Sequence, residues 1–448
     1  MKLKRMMSFL LTAVMVFSLF GCGSKPETAT PSSSESNTEA SSGTTNEQPA
    51  QEQITLNVWH QWSNDVNELK KVYEEAVAEY EAAHPNIKIN TETLDTEAYK
   101  TKISAEFAGT ASGIDVFYYW GAGAIKKIVD AGKLLPIDDY LTDDIKNKVL
   151  PGSTASFEFD GKTYSLPTFS WYMALFCNKE LFDQAGAKIP TTYDELLDAC
   201  KKLSQLEGIT PIAAGAKDGW CAAFVYQAMA LREVGGENIN AMLSGKVPFS
   251  AEGYKEAADR VVELYNAGAF GKNPLEVGND DANTAFITGK AAMRLNGSWF
   301  ANQVYTDATA TVDPSKVVAV KIPMIPGKGK ETDYCGGFVE SFWVNKETKY
   351  PKEAIDFAIF INEKVGKGAY EIGAGFSGWN GEFDESKLNP LFVQIKDLLN
   401  EGTTGVLAWD TSLESEPATI HNEQAQTLFA PGADTNAFVE EHIAVLNK

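Results

Sequence analysis

The chain of 448 residues carries 61 acidic and 39 basic side chains, which gives a formal net charge of −22 at pH 7. A surface of this sign repels nucleic acids and other polyanions and favours solubility, and no block of basic residues offsets it after the N-terminal segment. The composition therefore disfavours both nucleic acids and anionic ligands as partners.

The first 22 residues have the pattern of a secretory signal peptide. Three basic residues precede an apolar run, residues 6–20, which is shorter than the roughly 20 apolar residues that a membrane-spanning helix needs. The run ends at Gly21 and Cys22, an arrangement that resembles the bacterial lipobox. The resemblance implies that Cys22 is a lipid attachment site, and ordinary secretion without a lipid is the alternative.

Residues 23–53 consist mainly of Ser, Thr, Glu, Pro and Asn, with almost no apolar side chains. Such a segment buries too little apolar surface to offset the entropy of ordering it, so a disordered tether is expected. With a lipid on Cys22, the tether would hold the rest of the chain at the extracytoplasmic face of the cell membrane.

The body of the chain, residues 54–448, is long enough for two or more hydrophobic cores. Its first part alternates strand and helix patterns, with strands expected near residues 54–58, 87–89 and 115–120. Strands that alternate with helices in this way indicate a parallel sheet with helices on both faces.

A second alternating region begins after Pro167, with helices expected near residues 193–206, 219–233 and 254–267. The predicted fold is therefore α/β, with two parallel-sheet lobes joined by a hinge of several chain crossings. The apolar run at residues 317–322 is either one of these crossings or an edge strand within one lobe. The expected boundaries are 54–165 with 324–363 for lobe 1, and 166–323 with 364–448 for lobe 2.

Tryptophan residues lie mainly near the predicted ends of strands and in loops. In residues 285–300, a helix stops at Gly289, a short strand follows, and Gly297 and Ser298 lead directly to Trp299. Open sheets of this kind bind ligands beyond the carboxyl ends of their strands. Aromatic faces stack on the C–H faces of sugar rings, while carboxylates and amides hydrogen-bond to hydroxyl groups. A sugar site is one interpretation, and tryptophans that cover helix ends are the other. Trp343, inside a strand pattern, is expected in the core.

Four cysteines follow Cys22, and they allow three disulfide pairings. Cys200 shares a predicted helical face with Leu196, Leu197 and Leu203, which favours a buried thiol at that position. The disulfide state of Cys177, Cys200, Cys221 and Cys335 stays open.

No catalytic or metal-binding motif is present in the body of the chain. It contains neither His-Glu-x-x-His nor a nucleophile elbow, and the whole chain has only four histidines. Gly161-Lys162-Thr163 lacks the earlier glycine of a phosphate loop, because Ser156 occupies that position. We therefore expect a binding protein without cofactor or metal. The alternatives are a secreted carbohydrate-active enzyme, which would need two carboxylates across a cleft, and a binder of cations such as polyamines.

The order of several segments along the chain resembles a known family. These segments are the lipobox, the tether and residues 54–59, 84–87, 115–117, 160–167, 178–182, 286–299 and 336–338. In this order they resemble the carbohydrate-binding extracellular solute-binding proteins (family 1) of bacterial ABC importers. The resemblance implies a receptor, expected to be monomeric, whose two lobes close on a sugar and then dock on a membrane permease.

The resemblance also implies some of the ligand-binding residues. Trp299 is expected to stack on the sugar, Tyr119 or Trp120 to contact it, and Trp171 with Tyr172 to lie beside it. Four further candidates rest on position alone: Trp59, Trp62, Trp220 and Trp379.

Overall fold

The computed structural model describes residues 52–65 and 67–447. The predicted signal peptide, the lipid attachment site Cys22 and the tether up to residue 51 lie outside these residues. Within the described part, no helix is both long and apolar enough to cross a membrane.

The described residues form two large sheets, a small hairpin and the helices that cover them. The strands are β1 (Ile54–His60), β2 (Ile87–Thr93), β3 (Val116–Trp120), β4 (Glu158–Phe159), β5 (Lys162–Thr163), β6 (Phe169–Asn178), β7 (Thr210–Ile212), β8 (Ala291–Gly297), β9 (Val317–Val320), β10 (Asp333–Phe338), β11 (Glu340–Val344), β12 (Phe376–Ser377) and β13 (Thr404–Val406). The α-helices are α1 (Glu68–Ala83), α2 (Thr96–Ala108), α3 (Gly123–Asp130), α4 (Asp143–Lys148), α5 (Lys179–Ala185), α6 (Tyr193–Leu203), α7 (Gly219–Val234), α8 (Gly236–Leu243), α9 (Tyr254–Asn266), α10 (Asn279–Ile287), α11 (Trp299–Thr306), α12 (Pro351–Glu371), α13 (Pro390–Asn400), α14 (Trp409–Ser412), α15 (Ser415–Thr427) and α16 (Thr435–Leu446).

The smaller sheet has the strand order β11-β3-β1-β2. Strand β1 runs parallel to β2 and β3, as predicted, while β11 joins the edge antiparallel to β3. Helices α1 and α12 pack together on one face, where Tyr73 and Phe357 are buried. The other face is buried by α2 and α3, through Ile103, Phe107 and Ile125. These packed layers form the first lobe.

The larger sheet has the order β13-β10-β6-β8-β7, with β9 and β12 also paired to β6. Its central strand β6 is antiparallel to β8, β9, β10 and β12, and only the pairs β7–β8 and β10–β13 are parallel. The two-lobe α/β architecture is thus confirmed, but the second sheet is mixed rather than parallel. All ten residues of β6 are buried, and an apolar run of this kind does not reveal the direction of neighbouring strands.

Residues 317–322 do not cross between the lobes. Strand β9 lies in this segment and pairs with β6, with Val320 opposite Leu175. Of the two interpretations of this apolar run, the edge strand within one lobe is confirmed.

The chain passes between the two sheets at three places: between β5 and β6, at Val339 between β10 and β11, and between α12 and β12. Hydrogen bonds join these crossings. Thr168 donates to the Glu340 carbonyl through its N–H (3.0 Å) and its hydroxyl (2.8 Å), and the Gly378 N–H donates to the Thr168 carbonyl (3.0 Å). Because β10 pairs with β6, we propose that the second boundary of lobe 1 lies at residue 339 rather than 324.

All four cysteines of the body are free and buried. The prediction of a buried thiol at Cys200 is confirmed. Burial also raises the pKa of Cys221 and of Cys335 to about 12, so both thiols stay protonated at neutral pH.

Candidate functional site

A cavity of about 230 Å³ lies between the lobes, next to the crossings, and we call it the proximal cavity. The first lobe supplies the turn after β1, the start of α2 and the end of β3. The second lobe supplies parts of β6, α7, α10, α11 and α14. Val339 and Glu340 of the second crossing, and Ile372 and Ala374 of the third, complete the wall.

The turn after β1 places Trp62 in the wall of the proximal cavity. The His60 Nδ1 accepts a hydrogen bond from the Trp62 N–H at 3.1 Å. Burial lowers the pKa of His60 to about 3, so its ring is neutral and this nitrogen remains an acceptor at neutral pH. The Trp62 ring packs against Tyr118, with 4.6 Å between the ring centroids. The position of Trp62 is therefore set by both a hydrogen bond and ring packing.

The second lobe contributes a layer of four aromatic rings. Trp171 of β6 stacks on Phe224 of α7, with 5.4 Å between centroids and planes 14° apart. Trp220 packs edge-on against Phe224, and Trp299 packs edge-on against Trp171. A Cβ atom at Gly297 would lie 2.2 Å from the Trp299 ring, so only glycine lets this ring fold back over the end of β8. The layer presents apolar ring surface to the proximal cavity.

Five of the nine predicted ligand-binding residues line the proximal cavity: Trp62, Trp120, Trp171, Trp220 and Trp299. The structure places Trp59, Tyr172 and Trp379 in the cores, and Tyr119 in the wall of a second cavity. Strand alternation explains why Trp171 lines the cavity and Tyr172 does not, because neighbouring residues of a strand point to opposite faces.

The three core residues have structural partners of their own. Tyr172 stacks on Tyr334 at 5.5 Å, and the Trp379 Nε1–H donates to the Pro167 carbonyl at 2.7 Å. Trp59 packs in the core of the first lobe beneath the ammonium group of Lys102.

A polar network behind the second lobe's wall orients several amide groups. The buried guanidinium of Arg294 on β8 donates to the side-chain oxygens of Asn279 (2.7 Å) and Asn283 (2.9 Å) on α10. The Asn283 amide donates in turn to Gln303 on α11 at 3.2 Å. The sequence analysis missed these amides. Two sequence features could have indicated them. The two asparagines are four residues apart, and a cation lies within a buried strand.

Glu340 is a further residue that the sequence analysis missed. It begins β11, is only 6% exposed, and its Oε2 has no hydrogen-bond partner among the described residues. Burial raises its pKa to about 8, although polar contacts with the Trp120 and Tyr118 side chains act in the opposite direction. The Gln61 Oε1 is likewise buried and unpartnered. Buried polar atoms are normally hydrogen-bonded, and Glu340 and Gln61 both line the proximal cavity, so a ligand or water there is one source of the missing hydrogen bonds.

The charges in the cavity wall are mostly negative. Five carboxyl groups line it, from Glu68, Asp95, Asp280, Glu340 and Asp410, against the single ammonium group of Lys100. Several of the carboxylates are already engaged within the chain. Asp95 caps α2 by accepting from the Ala98 N–H, and Asp410 lies 3.8 Å from the Lys100 Nζ. This wall disfavours anionic ligands.

Aromatic faces, oriented amides and unpartnered oxygens form a surface suited to a polar ring compound with many hydroxyl groups. Among the residues that the structure describes, no group of three or more His, Cys, Asp or Glu side chains could hold a metal ion.

Comparison with known proteins agrees with this arrangement. The family model described as bacterial extracellular solute-binding protein matches residues 64–367, more than half of the chain. An uncharacterized ABC transporter extracellular-binding protein of Pyrococcus horikoshii is 27% identical over 69% of both chains. A maltotriose-binding protein of Pyrococcus abyssi is 34% identical over 32% of this chain and 30% of its own length. A solved structure from a biochemical and structural study of xylan utilization by the thermophilic bacterium Caldanaerobius polysaccharolyticus matches with a TM-score of 0.83. Its sequence identity is 33%, with coverage of 87% of this chain and 99% of its own.

The family match spans strands and helices of both lobes, and the similar structure covers nearly all of the described residues. Such proteins are receptors that bind solutes for ABC transporters, and they are not enzymes. The chain belongs to the family of bacterial extracellular solute-binding proteins.

Proposed function

We propose that this protein binds a neutral oligosaccharide in the proximal cavity and delivers it to an ABC importer. The observation that carries the proposal is the combination of aromatic rings from both lobes with buried polar atoms that lack partners. Trp62 and Trp120 belong to one lobe, and Trp171, Trp220 and Trp299 to the other. A sugar between them would contact both lobes and so stabilise the closed arrangement.

The negative wall does not favour a cationic solute over a sugar. Lys100 already pairs with Asp410, the Asp95 carboxylate accepts from a helix N-terminus, and burial favours the neutral form of Glu340. The carboxyl oxygens that remain accessible are acceptors for sugar hydroxyl groups. Neutral sugars therefore fit the site better than either polyamines or acidic oligosaccharides.

A thermal-shift panel tests this proposal on the purified protein. The panel contains neutral malto- and xylo-oligosaccharides, oligosaccharides of uronic acids, and spermidine as a polyamine. A ligand present at about 100 times its Kd stabilises the folded state by about 2.7 kcal/mol. We expect at least one neutral series to raise the melting temperature. The oligosaccharides of uronic acids should leave it unchanged. A shift with spermidine alone, or with no sugar, contradicts the proposal.

We also propose that Cys22 carries a lipid that holds a monomeric receptor at the outer face of the cell membrane. The lipobox-like end of the apolar run and the polar segment after it support this anchor. Cys22→Ser is expected to move the folded protein from the membrane fraction into the medium. Retention of the variant in the membrane fraction would argue against the anchor.

Light scattering of the purified protein, expected to give the monomer mass, tests the oligomeric state.

A further inference from the structure

Arg294 on β8 is a cation buried directly behind the wall of the proximal cavity. It is 1% exposed, yet its hydrogen-bond partners among the described residues include no carboxylate. These partners are backbone carbonyls, the Cys221 thiol and the side-chain oxygens of Asn279 and Asn283. Burying a charge without an opposite charge is costly, so the polar groups that compensate for it hold their negative ends towards the guanidinium.

The chemistry of arginine decides which end of each asparagine faces it. A guanidinium group has only donors, so the amide atom that it contacts must be the oxygen. The distances are 2.7 Å to the Asn279 Oδ1 and 2.9 Å to the Asn283 Oδ1. The NH2 group of each asparagine, on the other side of the same carbon, therefore faces away from Arg294. Both asparagines line the proximal cavity.

This orientation passes from Asn283 to a third amide, that of Gln303. The Asn283 Nδ2 donates to the Gln303 Oε1 at 3.2 Å, and the Gln303 Nε2 donates to the Asp307 Oδ2 at 3.3 Å. Gln303 also lines the proximal cavity. The chain of hydrogen bonds begins at a cation and ends at an anion, and bonds that run in one direction polarise and strengthen one another. Asn283 and Gln303 are thus both held in a single orientation.

The edge of the proximal cavity formed by these three amides is rich in N–H donors. Each NH2 group carries two hydrogens, and the hydrogen bonds of the described residues account for one on each amide. At Asn279 that hydrogen goes to the Asp280 carboxylate at 2.9 Å. The three amide oxygens accept from donors within the chain, which leaves N–H groups for a ligand. A ligand atom at this edge must therefore accept a hydrogen bond, as the hydroxyl, ring and glycosidic oxygens of a sugar do.

We propose that Arg294 is a positioning residue of the binding site, and that it makes the amides of Asn279, Asn283 and Gln303 a donor edge for ligand oxygens. This inference rests on the proposed function. Arg294 does not line the proximal cavity, so it acts only through the amides. Its loss would let the amides turn, and the donor edge would no longer be fixed before the ligand binds. Ordering the amides would then oppose binding, and the affinity for sugar would fall.

Arg232 on α7 provides a matched control for a purely structural role. It is also 1% exposed in the second lobe, and its guanidinium donates to the backbone carbonyls of Ile322, Lys330 and Asp333. None of these residues lines the proximal cavity. Arg232→Met and Arg294→Met each remove a buried cation and leave buried carbonyl groups without their donors. Both variants should therefore lower the melting temperature of the ligand-free protein.

Asn283→Asp tests the donor edge without removing Arg294. The carboxylate can still accept from Arg294 and from the Asn296 Nδ2, which lies 3.0 Å from the Asn283 Oδ1, and its charge strengthens the first contact. The variant has no N–H to offer to Gln303 or to a ligand. Because the proposed ligand is neutral, the added charge does not by itself repel it. The melting temperature should therefore equal or exceed that of the wild type, while the affinity for sugar falls.

Calorimetric titration with the malto- or xylo-oligosaccharide that gives the largest thermal shift measures the affinity, at a temperature where every variant is folded. We expect Arg294→Met and Asn283→Asp to weaken binding by at least about tenfold, or about 1.4 kcal/mol. Arg232→Met should leave the affinity unchanged. Wild-type affinity in either Arg294→Met or Asn283→Asp, or equal weakening by the two arginine variants, would overturn this inference alone. If Arg294→Met does not fold, Asn283→Asp decides. Binding of no sugar by the wild type would overturn the proposed function together with it.

Discussion

Glu340→Gln is expected to make the protein more stable at alkaline pH and to flatten the dependence of its stability on pH. In the folded protein, burial raises the pKa of Glu340 from 4.5 to about 8. The folded state therefore binds this proton more tightly than the unfolded state. The contribution of Glu340 to stability is fully present below pH 4.5, and it is lost as the pH rises through about 8. One pKa unit corresponds to about 1.4 kcal/mol, so the full loss is on the order of 5 kcal/mol.

Thermal unfolding of the ligand-free wild type and variant between about pH 5 and about pH 9 measures this effect. The wild-type melting temperature should fall relative to that of Glu340→Gln as the pH rises, and the gap should be largest near the alkaline end. Glu382→Gln is a suitable control, because Glu382 is an exposed carboxylate remote from both cavities. Parallel curves for wild type and Glu340→Gln would show that this carboxyl is not buried as described.

Trp299→Ala is expected to weaken sugar binding by at least about tenfold, or about 1.4 kcal/mol. The ring is half-buried, packs edge-on against Trp171 with 5.6 Å between centroids, and lines the proximal cavity. Its loss removes a stacking surface while most of the core remains in place. The melting temperature of the ligand-free protein should therefore change much less than the affinity.

Trp343→Ala provides the matched control, because Trp343 is fully buried in the first lobe and does not line the proximal cavity. Truncating a large buried aromatic residue costs about 3–5 kcal/mol of stability. Calorimetry and thermal unfolding of both variants separate the two roles. A large stability loss with unchanged sugar affinity in Trp299→Ala would assign this residue to the core.

The first lobe was more predictable than the second for a physical reason. Strands β1 to β3 alternate with helices, and the apolar residues of those helices recur at helical spacing. Alternation of strands with such helices predicts a parallel sheet. The second lobe is organised around β6, which is buried along its whole length. An apolar run of this kind does not show that the four strands paired with it run antiparallel to it.

The candidate site was likewise predictable from the sequence only in part. The ends of strands were found from the sequence, but not the face to which each aromatic side chain points. Trp120 and Tyr119 are adjacent, yet only Trp120 lines the proximal cavity. The burial of Glu340 could not be predicted from the sequence. It depends on a crossing that brings together residues from distant parts of the chain. The Glu340 carbonyl accepts hydrogen bonds from Thr168, 172 residues away.

A crystal structure of the complex with the oligosaccharide that gives the largest thermal shift tests the central claim most directly. We expect sugar rings against Trp299 and Trp171 on one side and Trp62 or Trp120 on the other, with hydroxyl groups bonded to Glu340 Oε2 and Gln61 Oε1. A sugar bound outside the cleft between the lobes, with these aromatic rings left uncovered, would contradict the account.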